Sequence, residues 1–116
     1  MYKYKAHITN IVDGDTFDAD VDLGFGITAS HRFRLNGIDT PEVWRPKTKA
    51  EKEHGMEAAK YLRGLILGED VILTSHKLGI YGRYDADVYI EIQQTEVSIV
   101  RLLINNGFEK RDDYED

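Results

Sequence analysis

Five carboxylates and arginines stand at positions where a chain of this kind could do chemistry. Asp15 sits in Asp13-Gly14-Asp15-Thr16. Arg34, Asp39 and Glu42 share the run Arg34-Leu35-Asn36-Gly37-Ile38-Asp39-Thr40-Pro41-Glu42, and Arg83 closes the tripeptide Tyr81-Gly82-Arg83. The parity of Asp15 matches Phe17, Ala19 and Val21, which turns its carboxylate toward an apolar face. A carboxylate there is costly unless a cation or several donors replace the lost water. Asp39 and Glu42 flank Thr40-Pro41, where proline stops strand pairing and bends the chain. Together these groups offer the oxygen ligands that a hard cation takes, with water filling the remaining positions. A water held beside a carboxylate base is a nucleophile for a phosphoryl centre. Two guanidinium groups could meet the charge that develops on the phosphoryl oxygens. Each segment also has a plainer reading. Asp15 can be a turn aspartate bonded to its own backbone. Asp-Thr-Pro-Glu can be an acidic turn capping the next helix, and an arginine on a strand is often part of a solvated face. Spacing leaves the convergence of the segments open.

The elements that must hold these residues follow from pattern. The chain of 116 residues suits a single domain, 1–116, with a core that needs no metal or disulfide staple. It has no cysteine, which excludes thiolate zinc sites and thiol nucleophiles. No apolar run has the length of a membrane span, so no membrane partner is expected. The N-terminus enters a strand pattern directly and lacks the apolar stretch of a signal peptide, which leaves a cytoplasmic location or export after processing both open. Residues 4–12 read as a strand, Asp13-Gly14 as a hairpin turn, and 17–23 as an alternating strand whose wet face carries Asp18, Asp20 and Asp22. After Gly24-Phe25-Gly26 a third strand is predicted over 29–38, then an exposed loop over 40–48. A helix is predicted over 49–67, with Gly55, Ala58, Ala59, Leu62, Leu65 and Ile66 on its inner stripe and Gly68 ending it. Strands over 71–75 and 86–92 and a second helix over 96–106 complete the order. Five short strands with a helix between the third and fourth is the layout of an OB barrel; a small α+β sandwich is the alternative on pattern alone.

Taken together, the Asp-Gly-Asp-Thr hairpin, the Arg-x-x-x-x-Asp-Thr-Pro-Glu run and Tyr-Gly-Arg resemble the signature of the staphylococcal-nuclease-like (thermonuclease) family, and His54-Gly55-Met56-Glu57-Ala58 resembles its first-helix segment. The similarity runs from about Lys5 to Gly107. It implies a five-stranded OB barrel and a calcium-dependent nuclease that cuts DNA and RNA without sequence preference and leaves 3′-phosphate ends. Asp15, Asp39 and the carbonyl of Thr40 would bind Ca2+. Glu42 would act on the attacking water, Arg34 and Arg83 would hold the scissile phosphate, and Tyr81 would lie near the nucleotide. The partner implied is single-stranded DNA or RNA, met by a monomer.

Two departures from the family stand out. Ile80 occupies a position where a basic residue is common, and the family's third helix with its base-facing tyrosines has no clear counterpart after Gly107. The net charge of −6 opposes nucleic-acid binding in general, since binding proteins usually present a basic face. The charge is uneven, however: Arg32, Arg34, Arg45, Lys47 and Lys49 form a basic stretch between the acidic segments. Two other readings therefore stand beside the nuclease: a catalytically silent OB module binding nucleic acid or protein, and a cation-binding structural module. Trp44 reads either as a stacking platform for a base or as a partly buried loop anchor. The histidines at 7, 31, 54 and 76 show no metal-ligand spacing and read as structural or surface residues.

Overall fold

The computed structural model describes residues 3–78 and 84–115, the side chains at 77 and 78 excepted. Three strands come first: β1 (Lys3–Asp13), β2 (Thr16–Asp22) and β3 (Thr28–Leu35), each antiparallel to the one before. The helix α1 (Lys49–Ile66) follows, then β4 (Asp70–Leu78), β5 (Tyr84–Ile92), β6 (Thr95–Ser98) and α2 (Ile99–Asn105). β4 pairs with β1 and with β5, and β5 lies parallel to β3, so β1, β2, β3, β5 and β4 close into a five-stranded barrel. β6 extends the sheet from the outer edge of β5. This is the OB-like barrel expected, with one strand added.

The core is built from the inward residues of the alternating strands. Phe17, Ala19 and Val21 of β2 and Phe33 and Leu35 of β3 are buried, as are Ala6 and Ile8 of β1. Phe17 faces Phe33 across the ladder and their rings stack at 5.6 Å. From α1, Ala58, Ala59, Leu62 and Ile66 are buried against the barrel, as the helical stripe requires. Gly68 follows the helix with φ of +76° and its amide bonds the carbonyl of Ile8, which ends α1 on the first strand.

The wet face of β2 is a ladder of polar pairs rather than a cation site. Asp18 receives Arg32 from β3, Asp20 receives the hydroxyl of Ser30, and Asp22 receives the amide of Gly24. Among the described residues no helix is long and apolar enough to cross a membrane.

The second predicted helix needs correction at its start. Glu96, Val97 and Ser98 belong to β6, and only Ile99–Asn105 are helical. The cause is a hairpin through Gln93 and Gln94, whose φ angles of 52° and 66° form the left-handed two-residue turn that joins β5 to β6. Glutamine is a poor signal for that turn. Ser98 then caps α2, accepting from the amide of Arg101. β3 also stops at Leu35 rather than at 38, because Gly37 turns the chain with φ of +92°.

Candidate active site

The site lies where the β1–β2 turn, the end of β3 and the loop before α1 meet. Gly14 permits that meeting: a Cβ there would stand 2.8 Å from Ala58 Cβ and 2.9 Å from Thr40 Oγ1. The carbonyl of Asp15 accepts from the amide of Leu35 at 2.8 Å, tying the turn to the end of β3. The Asp15 side chain is buried, and its carboxylate is answered by donors. Oδ1 accepts from Thr16 Oγ1 at 3.0 Å and Oδ2 from the amide of Thr40 at 3.1 Å. The inward lean expected from strand parity is therefore observed, and the local turn bond is made instead by Asp13, whose Oδ1 accepts from the Asp15 amide.

Arg34 joins two of the predicted carboxylates. Its Nη2 lies 3.8 Å from Asp15 Oδ2, forms an ion pair with Asp39 and donates to the carbonyl of Ile38 at 3.1 Å. Glu42 is exposed and lines the same cleft, of about 390 Å³, as Asp13, Asp15, Arg34 and Asp39. Burial, and then the neighbouring Asp15 carboxylate, push Asp13 up to about 7. Asp15, Arg34, Asp39 and Glu42 thus converge. Tyr81 and Arg83 lie outside the described residues.

The plainer reading of Asp-Thr-Pro-Glu as a helix cap does not hold. Thr48 caps α1, its hydroxyl accepting from the amide of Glu51. Thr40 is buried, and its Oγ1 has no hydrogen-bond partner among the described residues.

Glu51 is the functional residue that the sequence reading missed. It is 2% exposed, a rare state for a carboxylate. Its Oε1 accepts from the amide of Lys47 at 2.9 Å and its Oε2 from the amide of Glu42 at 3.1 Å. Lys110 Nζ stands 3.4 Å from Oε2. One buried side chain thus ties down both ends of the loop that carries Glu42. The amide of Lys47, and then the other donors, hold its carboxyl below the ordinary 4.5. The Thr48-x-x-Glu51 spacing is a capping-box signal, but here the glutamate reaches into the loop rather than back to the cap. Gly55, one turn on, serves the same loop. A Cβ there would stand 2.6 Å from the Pro41 carbonyl oxygen and 3.0 Å from that of Glu42.

A depressed carboxylate stabilises the fold above its unfolded pKa, and that contribution disappears as the pH falls through the folded value. Glu51→Gln is accordingly expected to be less stable than the wild type at neutral pH by about 2 kcal/mol, the scale of hydrogen bonds to a charged group. The gap should close as the pH drops below 4.5. Urea unfolding at a series of pH values measures it; a gap that stays constant into acid would contradict the assignment of an ionised Glu51.

The tail beyond α2 also reaches the site. The amide of Lys110 bonds the carbonyl of Asp39 at 2.8 Å. Tyr114 is held by His54, which bonds its hydroxyl through Nδ1 and the carbonyl of Gly107 through Nε2. His54 is structural, as expected.

Among the described residues no three acidic or histidine side chains gather at metal-ligand spacing. What the site offers is a pair of carboxylates sharing one guanidinium. Asp15 and Asp39 accommodate positive charge between them, and their donors are hard oxygens, a set whose chemistry suits a cation such as calcium.

No curated protein matches the chain. A family profile described as Staphylococcal nuclease homologue matches residues 32–115. The match takes in Arg34, Asp39, Thr40, Glu42 and the 81–83 tripeptide. It also runs through the tail, past the Gly107 limit of the sequence resemblance.

Proposed function

Because the chain belongs to the staphylococcal nuclease homologue family, we propose that it is a calcium-dependent nuclease acting on single-stranded DNA or RNA. The observation that carries this reading is the convergence of Asp15, Arg34, Asp39 and Glu42 on one cleft. Asp15 and Asp39, with the carbonyl of Thr40, would hold the calcium ion. When bound, calcium would neutralise phosphate charge and make a coordinated water more acidic.

The protein's own groups supply the remaining steps. Glu42 takes a proton from the attacking water as its oxygen bonds to phosphorus. The bond from phosphorus to the 5′ oxygen breaks, that oxygen leaves and takes a proton from solvent water, and the phosphate remains on the 3′ side. Arg34 and Arg83 bind the phosphoryl oxygens as charge builds on them. Among the described residues the Nη1 group of Arg34 has only a 3.5 Å contact with the carbonyl of Leu35, which leaves it donor capacity for that task. These contacts address phosphates, which carry no base information, and cleavage without sequence preference follows.

Calcium binding to the native state should raise the melting temperature. At a hundred times Kd the stabilisation is about 2.7 kcal/mol, a rise on the order of 10 °C for a domain of this size. Asp15→Ala should abolish that rise. Single-stranded DNA should be cut in calcium and left whole in EGTA, with 3′-phosphate ends on the products. A calcium shift that survives Asp15→Ala would put the cation elsewhere. Binding of DNA without cleavage would favour a silent OB module.

A further inference from the structure

The cleft is lined by two further residues that the proposed catalysis does not use. Trp44 and Arg32 line it together with Asp15, Arg34 and Glu42. Trp44 is the chain's single tryptophan and is 71% exposed, so it does not anchor its loop in the core. The loop that carries it is held on both sides: Glu42 and Lys47, before and after Trp44, give their amides to the buried Glu51. The indole therefore projects from a tethered loop.

Arg32 is also fixed in place. Its Nε and Nη2 donate to the two carboxylate oxygens of Asp18 at 2.7 and 3.2 Å. That pair orients the guanidinium plane and leaves Nη1 outside it. Arg32 and Arg34 share one face of β3, two residues or about 7 Å apart along the strand, a separation similar to that of successive phosphates in an extended nucleic-acid strand. An aromatic face and a guanidinium lining one cleft are the two elements that bind single strands, by stacking a base and pairing a phosphate. A base in a duplex is stacked on both sides and cannot reach the indole.

We propose that Trp44 and Arg32 form a subsite for the single strand beside the reacting phosphate, with a base on Trp44 and a neighbouring phosphate on Arg32. This deepens the nuclease reading and rests on it. The subsite would let a chain of net charge −6 hold a polyanion, since stacking contributes where the overall field does not.

The single tryptophan makes the test direct. A short fluorescein-labelled oligothymidylate is titrated with protein in EGTA at low salt, with anisotropy reporting binding. Unlabelled oligothymidylate is used to follow tryptophan emission. Binding should quench Trp44 saturably, with the same midpoint as the anisotropy. Trp44→Ala should weaken binding about tenfold or more, Trp44→Phe should recover most of it, and Arg32→Ala should weaken it severalfold. In calcium, Trp44→Ala should raise KM for single-stranded DNA with little change in kcat. Anisotropy binding that leaves Trp44 emission unmoved, or equal affinity of the Trp44→Ala variant, would overturn the subsite alone. Absence of binding by any variant in EGTA and in calcium would overturn the nucleic-acid reading with it.

Discussion

Arg34→Ala is expected to lower kcat on single-stranded DNA by ~10²-fold or more, the loss typical of removing one group that stabilises charge in the transition state. The residue stands at the end of β3, opposite Thr16 on β2 and beside Asp85 on β5, so its backbone is fixed by the barrel on both sides. Its side chain is partly exposed, and alanine leaves no cavity in the core. The fold should survive, and circular dichroism should show an unchanged barrel. Without the guanidinium, however, Asp15 and Asp39 lose their shared counter-charge, and the calcium-free protein should melt at a lower temperature. Arg34→Lys should restore part of the stability but little of the turnover, because an ammonium is a point charge and cannot present two parallel donors to a phosphate. Steady-state cleavage beside thermal melts separates the two roles. Near-normal kcat in Arg34→Ala would remove Arg34 from the phosphate.

The barrel was legible because its strands alternate. Phe17, Ala19 and Val21 set one face of β2 and Phe33 and Leu35 one face of β3, and a one-residue slip would reverse each set. The loop and α1 were marked by Pro41, Pro46, the helical stripe and Gly68. β6 was not legible. Val97, Val100, Leu103 and Ile104 read as one helical face, and only the left-handed turn at Gln93 and Gln94 divides them between strand and helix.

The site divides the same way. Asp15, Arg34, Asp39 and Glu42 have the right chemistry and lie near strand ends, so their residue types pointed to them. The support beneath them did not show. Glu51 reads in sequence as one of several charged residues at the start of a helix, yet it is buried and tethers the Glu42 loop. Gly55 reads as a stripe residue, yet its missing Cβ lets the loop lie on the helix. Both depend on contacts between segments, which residue type and local period cannot encode. The tail shows the same effect: Lys110 reaches Glu51 across the fold.

Glu42 carries an expectation of the same size as Arg34. It is exposed in the cleft and its amide is tied to the buried Glu51; in the proposed reaction its carboxylate takes the proton of the attacking water. Glu42→Ala should leave the fold and the calcium-induced rise in melting temperature in place, since Asp15 and Asp39 remain. Turnover should fall by ~10²-fold or more, the range ascribed to a positioned general base. Glu42→Gln, nearly the same in shape, should fall as far, because an amide cannot accept the proton.

The most direct test is digestion of single-stranded DNA in calcium by the wild type and by Glu42→Gln, matched by a chelator control. The account predicts rapid cleavage to 3′-phosphate products by the wild type alone, abolished by EGTA. Equal cleavage by Glu42→Gln, or none by the wild type at high enzyme and low salt, would contradict it.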